Sequence, residues 1–78
     1  MANDRNPKLF ADFNNADEFG RIRLNTQGTL DDIRALGLTL CDGMHVVLDD
    51  DEELVANGTV RYSPTDGWVA EVDWKLIG

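Results

Sequence analysis

Pro64-Thr65-Asp66-Gly67-Trp68-Val69-Ala70-Glu71-Val72-Asp73-Trp74-Lys75 reads as a tight turn followed by a strand. Proline presets the backbone angle that the turn needs, and glycine closes it. Beyond the turn, Trp68, Ala70, Val72 and Trp74 alternate with Val69, Glu71, Asp73 and Lys75. A period of two puts one set on each face of a sheet, so this stretch predicts a hairpin whose last strand has one buried face. Trp74 is the foremost core candidate on that face.

Working back from the turn, Leu54 to Tyr62 forms the other arm of the hairpin. Asn57-Gly58 interrupts it, and a bulge that bends the strand fits better than a two-residue hairpin turn, which would leave only a very short strand before it. In Met44-His45-Val46-Val47-Leu48, residues Met44, Val46 and Leu48 share an inward face, and Asp42-Gly43 supplies the turn that follows Leu38-Thr39-Leu40-Cys41. Arg21 to Thr26 alternates in the same way, with Ile22 and Leu24 inward. Leu9 to Phe19 suits a short strand and a turn, anchored by Phe10 or Phe13.

One segment has the period of a helix. Gly28 ends the preceding strand, and Thr29-Leu30-Asp31-Asp32 has the form of a helix start. Thr29 is placed to accept the amide hydrogen of Asp32, and Asp31 and Asp32 suit the positive end of the helix. Leu30, Ile33 and Leu36 fall about a turn apart, and Gly37 terminates the helix, which the spacing places over 30–36. The fold expected is mainly β: a small SH3-like barrel or rolled antiparallel sheet of about five strands with one short helix. It forms a single small β domain over 9–78, behind a flexible N-terminal tail over 1–8.

Seventy-eight residues leave room for one core and no more. Fifteen acidic against seven basic side chains give a net charge of −8, which repels nucleic-acid phosphates and anionic lipid and attracts basic partners. Cys41 has no second cysteine to pair with, the first residues lack the apolar run of a secretory signal, and no apolar run reaches membrane-spanning length. These features predict a cytoplasmic protein with no membrane partner.

The residues that carry chemistry are sparse. Cys41 and His45 lie close enough in sequence to meet, but no orienting group or oxyanion motif accompanies them. They are too few for a zinc site. Asp49-Asp50-Asp51-Glu52-Glu53 offers oxygen ligands without the glycine and terminal glutamate of a calcium loop, where Leu54 and Val60 stand instead, so it predicts weak cation binding at most. Gly20, Gly28 and Gly37 are too widely spaced to form a phosphate loop. No catalytic residue, metal ligand or cofactor is expected, and no enzymatic activity.

The partner-binding candidates are Asp49, Asp50, Asp51, Glu52 and Glu53, a run that must be a solvated loop, together with Tyr62 and Trp68, aromatics that can hold a cationic or proline-rich ligand. The expected function is that of a small acidic protein-interaction module. Its partner is another protein or a second copy of the chain, bound through an open sheet edge or through Val47, Val55, Val69 and Ile77 on the faces opposite the core. The alternatives are an acidic inhibitor that mimics nucleic acid, weakened because five of the fifteen acidic residues cluster in one run instead of spreading along a face, and a small enzyme subunit.

Overall fold

The computed structural model describes residues 6–73. Trp74, Lys75 and Ile77, which the alternation assigns to the last strand and to the faces around it, lie outside the described residues. The elements in chain order are β1 (Lys8–Phe10), β2 (Ile22–Arg23), α1 (Gln27–Leu36), β3 (His45–Asp49), β4 (Val55–Ser63) and β5 (Gly67–Asp73). The strands form one sheet in the order β1-β3-β4-β5-β2, curled into a half-barrel consistent with a small SH3-like barrel. Every pairing is antiparallel except β1 with β3, which run parallel.

The curl places one face of each strand on a common core. Leu9, Ala11, Ile22, Leu24, Val46, Leu48, Val60 and Ala70 are buried there, with Phe13, Ile33, Leu38, Leu40, Met44, Trp68 and Val72 packed around them. Ile22, Leu24, Val46 and Leu48 stand where the alternation put them. Leu9, rather than Phe10 or Phe13, anchors β1: it is fully buried, whereas Phe10 has the opposite parity and turns toward α1.

The β4–β5 hairpin forms as expected, with Ser63 opposite Gly67 across a three-residue loop. Gly67 takes a φ of 80°, the left-handed position that such loops require. Asn57-Gly58 is neither a bulge nor a turn. The register passes through Val46↔Gly58 and Gly58↔Val72 without a skipped residue. What glycine provides here is room, because a Cβ would lie 2.9 Å from Cδ1 of Leu48.

The helix begins earlier than the sequence pattern predicts, at Gln27, with Thr26 in extended conformation before it and the amide of Leu30 bonded to the carbonyl of Thr26. Gly28 lies within the helix instead of ending a strand, and no acidic residue falls in the first turn. Thr29 is therefore not the cap. It is fully buried, and its hydroxyl reaches Phe10 of β1. The C-terminus matches expectation: Gly37 is left-handed, its amide bonds to Arg34, and that of Leu38 bonds to Ile33.

Both outer edges of the sheet are covered. On β1, the amide of Phe10 donates to Asp32 Oδ2 at 2.8 Å and its carbonyl accepts the Thr29 hydroxyl at 2.6 Å. On β2, the segment around Ala16 bridges to Ile22, with Asp17 N–H donating to the Arg21 carbonyl and Arg23 N–H to that of Asn15. Val47, Val55 and Val69 do not form one patch. Val69 is fully buried, in register with Arg61 and Arg23, while Val55 lies near the other end of β4.

Candidate functional site

Of the five carboxylates from Asp49 to Glu53, only Asp50 to Glu53 lie in the loop between β3 and β4, and Asp49 belongs to the strand. Asp49 closes β3, accepts the amide of Asp51 at 2.7 Å and pairs with Lys8 at 3.4 Å. Asp50 holds the loop together: its Oδ1 accepts the amides of Glu52, Glu53 and Leu54, and its own amide bonds to the Leu54 carbonyl. The amides of Leu54 and Glu52 stabilise the charged form of Asp50 and hold its pKa below the usual carboxylate value, although partial burial acts the other way. Asp51, Glu52 and Glu53 are exposed.

This loop meets the end of β1. Because β1 pairs in parallel with β3, Phe10 lies opposite Asp49, and the chain leaving β1 runs beside the acidic loop. Phe10, Asp12, Phe13, Asn14, Asp50, Glu52 and Leu54 together line a pocket of about 300 Å³. Phe10, Phe13 and Leu54 provide apolar walls, and Asp12, Asp50 and Glu52 provide carboxylates. Among the described residues, no cationic side chain pairs with Asp12 or with any of Asp50 to Glu53.

Elsewhere on the sheet the charges are matched. Arg23 pairs with Asp66 at 3.1 Å, and Arg61 pairs with Glu71 at 3.2 Å and Asp42 at 3.7 Å. Exposed pairs of this kind contribute about 0–1 kcal/mol each, so they matter chiefly for where they leave the remaining charge. A larger cleft of about 530 Å³, lined by Phe19, Gly20, Arg21, Glu71 and Val72, also has its charges occupied. There Arg21 stacks over the Phe19 ring at 5.1 Å and bonds Asp17 at 2.8 Å, and Glu71 is the partner of Arg61.

Tyr62 and Trp68 do come together, edge to face at a centroid distance of 5.1 Å. They sit at the hairpin end of β4 and β5, whereas the acidic loop sits at the other end of β4; Tyr62 is seven steps along the strand from Val55, roughly 23 Å. The structure thus divides the predicted partner-binding residues into two places. Cys41 and His45 are exposed, and no hydrogen bond joins them among the described residues. No group of His, Cys, Asp and Glu side chains among those residues is arranged to hold a metal ion. No helix of the described chain is long and apolar enough to cross a membrane.

The acidic loop is legible in the sequence, and the pocket is not. Phe10 and Phe13 read as strand anchors, and nothing local ties residues 10–14 to residues 50–54; only the parallel β1–β3 pairing does so. No protein-family model matches the chain, and neither a curated protein nor a solved structure matches it.

Proposed function

We propose that the protein is a small non-enzymatic interaction module that receives a Lys- or Arg-bearing segment of a partner protein at its acidic end. The observation that supports this most is the pocket between β1 and the β3–β4 loop, where apolar walls adjoin carboxylates that no basic side chain of the described chain neutralises. A lysine or arginine side chain fits such a surface in two ways. Its aliphatic stem covers the exposed apolar area of Phe10, Phe13 and Leu54, and its charged end meets Asp12 and Glu52. The net charge of −8 draws such a partner in and sets the rate of encounter.

Capture of partners from source-cell lysate on the immobilised protein tests this reading, run in parallel with Asp12→Asn/Glu52→Gln and with Tyr62→Ala. Asp50 is left intact because it holds the loop. A Lys/Arg-rich partner that elutes with salt, is lost by the double variant and is kept by Tyr62→Ala supports the acidic pocket. A partner kept by the double variant and lost by Tyr62→Ala moves the site to the hairpin end and contradicts the proposal.

A further inference from the structure

Helix α1 is attached to the molecule narrowly. Among the named elements its backbone neighbours β1 alone. It is held by the Asp32 and Thr29 hydrogen bonds to the two backbone groups of Phe10, the Phe10 ring lying against Gly28, the full burial of Thr29 and the partial burial of Ile33 on the core. Leu30 and Leu36 are 42% and 52% exposed. A ten-residue helix does not hold together in water without its packing. By contrast, β3, β4 and β5 share continuous antiparallel ladders over a buried core.

We propose that α1 is a latch on the β1 edge. It detaches as one unit at a free energy below that of global unfolding, while β3, β4 and β5 stay paired. Thr29 and Asp32 are the hydrogen-bonding groups of the latch. Each detachment bares the N–H and C=O of Phe10, the strand edge that the helix otherwise covers, and releases from Gly28 the ring that lines the acidic pocket. This holds whether or not that pocket takes a basic segment.

Native-state amide exchange on the full chain, followed by NMR in sub-denaturing urea, tests the proposal. The expected result is that Phe10 and residues Leu30 to Leu36 exchange through one shared opening, less costly than the opening that exposes Val46, Leu48, Val60 and Ala70. Asp32→Ala should speed exchange of the Phe10-and-helix group about tenfold, as loss of a hydrogen bond to a charged acceptor implies, and leave the β3–β5 amides unchanged. Gly28→Ala should act in the same direction despite the higher helix propensity of alanine, because its methyl would lie 2.8 Å from the Phe10 ring. Exchange of the helix only together with the sheet amides overturns the proposal, and so does a Phe10 amide that stays protected while the helix opens. The unmodified protein decides the matter by itself if the variants fold poorly.

Discussion

Asp17 shows how one side chain organises the covered edge of β2. Its carboxylate accepts the amides of Phe19 and Arg21 and the Arg21 guanidinium, closing the turn through Gly20, which has a φ of 81°. Burial pushes its pKa up, but the two amides and the guanidinium outweigh burial and hold it below the usual carboxylate range. A carboxyl whose folded pKa is depressed adds stability above the unfolded pKa and loses it as pH falls through the folded one. Asp17→Asn should therefore cost stability that is constant from neutral pH down to about pH 5 and shrinks below about pH 4, read as the difference in Tm between the two proteins. Using the difference removes the opposing effect of acid, which relieves repulsion among the carboxylates of the acidic loop.

Gly58 is a residue whose role was misread from sequence, and the reason is physical. A glycine inside an alternating strand signals either a bend or a close approach, and only the neighbour decides which. Here the neighbour is Leu48, fully buried, and an added Cβ would also lie 3.3 Å from its Cγ and 3.4 Å from the Glu71 carbonyl oxygen. Gly58→Ala should therefore destabilise the protein: overpacking costs about 1–3 kcal/mol, more than the roughly 0.5–1 kcal/mol gained by removing a glycine from a strand. Urea unfolding checks the sign.

At the scale of elements, the hairpin was legible because every signal for it is local. Pro64 and Gly67 fix the turn, and the period of two fixes the strands. Ser63 adds a feature that the pattern does not reveal: its hydroxyl oxygen accepts the amides of Thr65 at 3.3 Å and Asp66 at 3.1 Å from a buried position. Ser63→Ala should lower stability by about 1 kcal/mol, a fall in Tm of about 4–8 °C for a domain of this size.

The helix was legible at its C-terminus, where Gly37 acts through its own backbone angle, and misread at its N-terminus. Thr29 and Asp32 looked like a cap because the sequence cannot show that β1 lies alongside, offering Phe10 as a stronger partner for both. The pocket was invisible for the same reason. Its two halves are far apart in the chain and meet through a parallel pairing, which no turn sequence announces.

At the scale of the whole molecule, charge is distributed unevenly. The arginines of β2 and β4 and of the turn before β2 are engaged with Asp17, Asp42, Asp66 and Glu71, so the excess acid concentrates where β1 ends and β3 gives way to β4. The composition showed that the protein is acidic, and only the fold shows that part of the acid lines one pocket together with Phe10, Phe13 and Leu54. The covered edges β1 and β2 direct attention away from simple strand addition and toward this end of the half-barrel.

The most direct measurement of that claim is a ¹H–¹⁵N NMR titration of the protein with a short oligolysine peptide at physiological salt, where charges beyond about 8 Å are screened. Shifts concentrated at Phe10, Asp12, Phe13, Asn14, Glu52 and Leu54, and abolished in Asp12→Asn/Glu52→Gln, are the predicted result. Shifts spread evenly over Glu18, Asp31, Asp42 and Glu71, or centred on Tyr62 and Trp68, would contradict the account.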